Sequence, residues 1–246
     1  MKKKLLISGG FGLLAREIER VNSKFEIILL SKQDMDVRNR EQIREKINIH
    51  KPDIFIHCGA FTQPTKDHEK YPDKSIDVNI IGTSNVAIEC YRRGIKLVYI
   101  STEWVYPNRL YNTEADELLP FTPYGWSKLG GECAAHILKD SLILRCSFAK
   151  RPYRFEKAFV DVYKSYLYVD ESAKIILKTI EMGLSGVYNI CGDTRIVYDF
   201  ALESNPHVGK IKKDEVGSWI PEKCTMSNKK LNRAQRKWHK KDNNDE

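Results

Sequence analysis

A short apolar run, Lys4-Leu5-Leu6-Ile7-Ser8, breaks directly into Gly9-Gly10-Phe11-Gly12-Leu13-Leu14-Ala15 and then into an amphipathic stretch. Glycine tolerates a tight turn there and lets the backbone come close to a ligand. The helix that follows points free N–H groups and its positive dipole end at whatever lies in the turn. Two frames fit, Gly10-x-Gly12-x-x-Ala15 and Gly9-x-x-Gly12-x-x-Ala15, both forms of a dinucleotide-binding turn. A plain glycine-rich turn is the competing reading; the placement between a first strand and a first helix favours the dinucleotide one.

The same alternation continues. Phe25–Leu30, Asp53–Cys58, Lys96–Ser101 and Ser141–Cys146 read as short buried strands, with helices at Leu13–Asn22, Asn39–Asn48, Ser75–Arg92 and Tyr124–Leu138. Strands that alternate with helices require a parallel sheet with right-handed crossovers, which predicts an α/β, Rossmann-type doubly wound fold. Gly94 and Gly183 stand where helix C-caps are expected. Past Cys146 the alternation weakens. Asp170–Gly183 reads as one more helix and Gly186–Ile190 as one more strand, and the rest as a small irregular substrate-side lobe. The expected division is an NAD(P)-binding domain over residues 1–146, the last sheet elements and the lobe over 147–226, and a basic, frayed tail over 227–246.

Composition mainly excludes. A chain of 246 residues, 41% hydrophobic, buries enough core for one α/β domain with an appendage. No apolar run is long enough to span a bilayer, and the run after the basic start is too short for a secretory leader, so a cytoplasmic location is expected. The six cysteines form no Cys-x-x-Cys pair and read as reduced core thiols; the six histidines are scattered, and no metal is expected. The formal charge of +8 is concentrated between Ser227 and Lys241, which hold Lys229, Lys230, Arg233, Arg236, Lys237, Lys240 and Lys241 and no acid. This reads as a solvated terminus, with no nucleic-acid partner expected.

Two further stretches carry chemistry. A dinucleotide fold usually holds the ribose 2′-OH with an acid at the end of its second strand. Here Leu29-Leu30-Ser31-Lys32 offers a hydroxyl and an ammonium instead, which suit a 2′-phosphate and predict NADPH, with NAD as the alternative. Lys32 also reads as an ordinary surface lysine. The fourth strand ends in Ser101-Thr102-Glu103-Trp104-Val105-Tyr106, and Pro123-Tyr124-Gly125-Trp126-Ser127-Lys128 lies downstream. Tyrosine and lysine four apart share a helix face. An ammonium near a phenol stabilises the phenolate and brings its pKa towards working pH. Tyr124 would then give a proton to a carbonyl oxygen while hydride reaches the carbon, Thr102 would hold the same oxygen, and Lys128 would hold the nicotinamide ribose. An exposed i,i+4 pair is the bland alternative.

These residues resemble the extended short-chain dehydrogenases, and within them the dTDP-4-dehydrorhamnose reductase group, from Lys4 to about Cys146. Besides the glycine turn, Asp36-Val37 is similar to the group's adenine-side Asp-Ile or Asp-Val. Cys58-Gly59-Ala60-Phe61-Thr62 is similar to its Ala-Ala-Ala-Tyr-Thr, Val78-Asn79 with Gly82-Thr83 to its Val-Asn-x-x-Gly, and Ser101–Tyr106 to its Ser-Thr-Asp-Tyr-Val-Phe. Pro123 to Lys128, followed by Gly131-Glu132, completes the likeness.

The resemblance implies cofactor contacts from Gly9, Gly10, Phe11, Gly12, Leu13, Leu14, Ser31, Lys32, Asp36, Val37, Cys58, Gly59, Ala60, Thr62, Asn79, Ser101, Tyr124 and Lys128. It implies catalysis by Thr102, Tyr124 and Lys128, substrate contacts from Thr102, Glu103 and Trp104, and hydride transfer to C4 of a nucleotide-linked sugar. Three departures stand out: Glu103 replaces the usual Asp, Thr65 stands where an Asp is usual, and the stretch from Cys146 to Tyr166 is shortened. A dehydratase would need an adjacent acid pair after the Thr, and Trp104 follows Glu103. A nucleotide-sugar epimerase and a non-catalytic regulatory subunit on the same fold stay open beside the reductase, and a homodimer is compatible with the sequence.

Overall fold

The computed structural model describes residues 2–62, 67–216 and 220–242. In chain order the first half runs β1 (Lys4–Ser8), α1 (Leu13–Val21), β2 (Glu26–Leu30), α2 (Arg40–His50), β3 (Ile54–His57), α3 (Asp67–Lys70) and α4 (Pro72–Ser75). A wide π-helical turn (Ile76–Ile81) leads into α5 (Gly82–Arg92), β4 (Lys96–Thr102), a 3-10 turn (Glu103–Val105), α6 (Pro123–His136) and β5 (Leu142–Cys146). The second half runs β6 (Phe148–Ala149), β7 (Lys157–Phe159), β8 (Tyr163–Lys164), β9 (Leu167–Tyr168), α7 (Val169–Glu181), β10 (Gly186–Ile190), β11 (Arg195–Ile196), α8 (Val197–Leu202), β12 (Gly209–Ile211) and α9 (Lys229–Asp242).

Six strands form one parallel sheet in the order β10-β5-β4-β3-β1-β2. This is the doubly wound arrangement that the alternation predicts. The strands read as unbroken apolar runs because both faces are covered. On one face α1, α7 and α9 pack Leu14, Ile18, Ile176, Ile180 and Leu231 onto Leu5, Ile7, Val98 and Leu144; on the other, α2, α5 and α6 cover Leu6, Phe55, Leu97 and Tyr99. Gly94 and Gly183 take positive φ at the ends of their helices, as C-caps do.

Two expectations change. The stretch Ser75–Arg92 is helical as expected, but not α-helical throughout. The π turn interrupts it at Asn79, whose side chain reaches out to bond both main-chain groups of Phe61 and the hydroxyl of Ser127. Nor do residues 229–242 fray: they form α9. The dense charge hides an i, i+3, i+7 stripe in which Leu231 is buried and Trp238 lies under Lys178, its ring centre 3.4 Å from the ammonium.

The small lobe is built differently. Its strands are two or three residues long and pair at a distance: β6 with β9, β7 with β12, and β8 with β11. Its core is Tyr153, Ala158, Val162, Tyr168, Val197, Phe200, Ala201, Val208 and Ile220.

Candidate active site

Open parallel sheets bind ligands beyond the carboxyl ends of their strands. Here the ends of β1, β3, β4 and β5 and the near wall of the lobe enclose a cavity of about 810 Å³. Gly9, Phe11, Gly12, Leu13, Leu14, Ser31, Lys32, Cys58, Gly59, Ala60 and Thr62 line one part of it, and Ser101, Thr102, Glu103, Trp104, Tyr124 and Lys128 line another.

The glycine turn is shaped by backbone. Gly9 has φ +69°, and a Cβ on it would stand 2.8 Å from the Gly59 backbone, so no other residue fits without displacing the β3 end. Gly12 caps α1 with no side chain, and the first turn of α1 carries no acid. The opening N–H groups of α1 therefore face the cavity with their dipole unopposed, a ready site for an anion.

Four expected cofactor residues do not line the cavity. Gly10 serves the chain itself: a Cβ there would stand 2.8 Å from Leu29 and Leu30, and its N–H donates to the Leu30 carbonyl at 2.8 Å. The carboxylate of Asp36 takes the Arg38 guanidinium, and that bond holds it below the usual carboxylate range. Val37 packs into the core beside Gly82. Asn79 is fully buried and ties the 59–62 loop to α6. Thr65 lies outside the described residues.

Two others line the cavity with their polar groups already engaged. Ser101 donates its hydroxyl to Glu132 at 2.7 Å. Ser31 donates both N–H and hydroxyl to Asp34, at 2.8 and 2.6 Å, leaving Lys32 as the exposed cation at that end.

The residues expected to react sit on α6 and at the end of β4. Thr122 caps α6 by accepting the N–H of Gly125 at 3.1 Å, and Pro123 takes the first helical position. A Cβ on Gly125 would stand 2.4 Å from the Trp104 carbonyl, so glycine is what lets α6 lie against the catalytic turn. Tyr124, one residue earlier, lines the cavity with Thr102 and is flanked by the rings of His68 at 5.1 Å and Trp104 at 5.8 Å. Burial pushes its phenol up to about 12, against the pull of the Thr102 hydroxyl.

Lys128, one turn further along α6, is anchored within the chain. Its ammonium donates to the Ile100 carbonyl at 2.8 Å and lies over the Tyr99 ring at 4.2 Å; burial brings it down to about 8, against the pull of Cys58 and Glu132. Desolvation dominates both groups, so the phenol is an acid held protonated at neutral pH. Beneath them His57 is fully buried between Ser8 at 2.6 Å and Thr83 at 3.1 Å, and burial, with Lys128 nearby, drives it down to about 3.

Sequence reasoning missed the lobe side of the cavity. Ser147, Phe148, Arg154 and Tyr166 line it there, and Cys146, Ile100 and Gln33 join from the sheet half. The stretch from Cys146 to Tyr166 is identifiable as sugar-side, but no periodicity singles out which of its residues face inward.

With this geometry in view, three comparisons bear on the chain. The family model described as RmlD substrate binding domain matches residues 3–170. The spore coat polysaccharide biosynthesis protein SpsK of Bacillus subtilis is 35% identical over 150 residues, 59% of this chain and 53% of that protein, so the match spans about half of that relative's length. The dTDP-4-dehydrorhamnose reductase of Aggregatibacter actinomycetemcomitans is 25% identical over 228 residues, 81% of this chain and 77% of that protein. A solved dTDP-4-dehydrorhamnose reductase from Bacillus anthracis, in complex with NADP, superposes with a TM-score of 0.84 at 25% identity, covering 94% of this chain and 92% of that one.

Proposed function

For a chain that belongs to the RmlD substrate-binding-domain family, we propose the activity of a reductase that uses NADPH to reduce the 4-keto group of a nucleotide-linked sugar. The observation that carries this reading is the placement of Tyr124 and Thr102 in the same cavity as the open N-terminus of α1. The printed activities of the Aggregatibacter and Bacillus anthracis relatives support it, as does the NADP bound to the latter.

The residues present suit a dinucleotide. The uncapped start of α1 would take the pyrophosphate, Lys32 the 2′-phosphate, and Lys128 the nicotinamide ribose. When bound, the reduced nicotinamide supplies the hydride. Tyr124 gives its phenolic proton to the carbonyl oxygen of the substrate as the carbon takes up hydride, so a ketone becomes a secondary alcohol. The Thr102 hydroxyl holds the phenol in place and offers the same oxygen a second partner. A protonated phenol suits this acid's part. The reading carries with it a cytoplasmic location.

The test is a panel of nucleotide-linked 4-keto sugars with NADPH or NADH, followed by loss of nicotinamide absorbance. One cofactor consumed per sugar is expected, whereas recycling would point to an epimerase. Tyr124→Phe keeps the ring and its packing, so melting and NADPH binding should match the parent while turnover falls by roughly 10²–10⁴-fold. Parental turnover in Tyr124→Phe overturns the mechanism.

A further inference from the structure

A buried ion pair beside the site has no part in the chemistry above. Glu103 follows Thr102 directly and opens the 3-10 turn. Lys164, from β8 of the lobe, donates to Glu103 Oε1 at 2.8 Å, and both side chains are 3% exposed. The Ser147 hydroxyl donates to Oε2 at 2.7 Å, and the Cys224 thiol donates to the Glu103 main-chain carbonyl at 3.3 Å. Three separate segments thus converge on the residue next to Thr102. Both carboxylate oxygens of Glu103, expected as a substrate contact, are engaged within the chain.

The pair's surroundings reach the reacting groups from both ends. The Lys164 ammonium lies 5.4 Å from the centre of the Trp104 ring, which packs on Tyr124. Two residues beyond Lys164, Tyr166 forms part of the cavity wall. Burial disfavours the Lys164 ammonium, yet Glu103 more than offsets this and lifts it above its ordinary value.

A pair this deeply buried is a weak source of stability, because desolvation of the two charges offsets most of their attraction. What it provides is geometry: one carboxylate with a partner on each oxygen sets three segments relative to one another. The other deeply buried pair among the described residues, Glu132 with Arg145, joins α6 to β5 within the sheet half and crosses no boundary. Glu103 with Lys164 joins the catalytic turn to the lobe.

We propose that Glu103 and Lys164 are positioning residues, a charged pin that holds the small lobe and its cavity wall in register with Thr102 and Tyr124. The catalytic consequence rests on the reductase reading; the pin itself does not. Neither side chain touches the reacting atoms.

Lys164→Met alone leaves a bare buried carboxylate and is expected to fold poorly. The double variant Glu103→Gln/Lys164→Met removes both charges at similar volume, so its melting should stay near the parent's. In that variant NADPH affinity is expected to be unchanged and KM to change little, while kcat falls about 10- to 100-fold, the effect of reacting groups held slightly out of place. Amide hydrogen exchange over residues 102–106 should accelerate, a readout that needs no substrate. Either parental kcat or parental exchange over 102–106 in the double variant overturns the pin. If the parent itself reduces no keto sugar, the reductase reading fails, and the exchange still decides the pin.

Discussion

The two halves of this molecule are specified in different ways. In the sheet half the six strands are four to seven residues long and pair in parallel, each tied to its neighbours by the helices that follow in sequence. In the lobe β7 meets β12 and β8 meets β11 across long stretches of chain, in strands of two or three residues. Local pattern suffices to build the first half. The second holds together through a few large side chains, so the shape of the lobe side of the cavity depends on packing rather than on backbone ladders.

The largest effect expected from that contrast is in the lobe. Phe200 is 2% exposed and stacks on Tyr168 at 4.5 Å. Phe200→Ala should cost roughly 3–5 kcal/mol of the lobe's stability. If the lobe is the separately specified half, this appears as an early unfolding transition while NADPH affinity is retained. One transition with joint loss of NADPH binding would merge the halves and break the comparison.

A smaller effect tests whether α9 belongs to the sheet half. Leu231 is 3% exposed within the sheet core, and Leu231→Ala should lower stability by about 2–3 kcal/mol, read from the denaturant midpoint. An unchanged midpoint would return residues 229–242 to the solvated tail that their charge suggests.

Next in size is a pH effect confined to the sheet half. Burial, with Lys128 nearby, drives His57 down to about 3 from an ordinary 6.5. Below pH 6.5 the unfolded chain therefore takes up a proton that the folded chain refuses, and stability falls as pH falls through that window. The loss between pH 6.5 and 5 is on the order of 2 kcal/mol. Chemical denaturation at the two values should show it, and His57→Gln should flatten the slope. A parental protein equally stable at both would contradict the buried neutral imidazole.

The smallest effect sharpens the cofactor end. The Ser31 hydroxyl is already donated to Asp34, so discrimination falls to the exposed Lys32. Lys32→Ala should weaken NADPH binding about tenfold, as loss of one charge-assisted contact does, and leave NADH unchanged. Equal weakening of both would show that Lys32 does not read the 2′-phosphate.

Much of the sheet half can be read without coordinates. Five buried apolar runs and the glycine turn place β1 to β5 within a residue or so at each end, because a strand covered on both faces must be apolar throughout. The cavity residues of the glycine turn and the Thr102, Tyr124 and Lys128 set were legible too, since each depends on a local motif at a strand end or on one helix face. Asp36, Val37 and Asn79, expected as ligand contacts, lie outside the cavity lining and have partners within the chain; a motif records that a position is constrained, not what constrains it.

By itself, then, the sequence determined the strand–helix order, the parallel sheet and the end of the sheet where chemistry could occur, because these follow from periodicities of a few residues. Only the tertiary structure decided what each charge faces. It put Lys128 on the Ile100 carbonyl, and joined Glu103 to Lys164 across 61 residues. It also turned a basic tail into a packed helix. Desolvation and partner geometry set these outcomes. Both depend on which segments meet in space, and no local pattern encodes that.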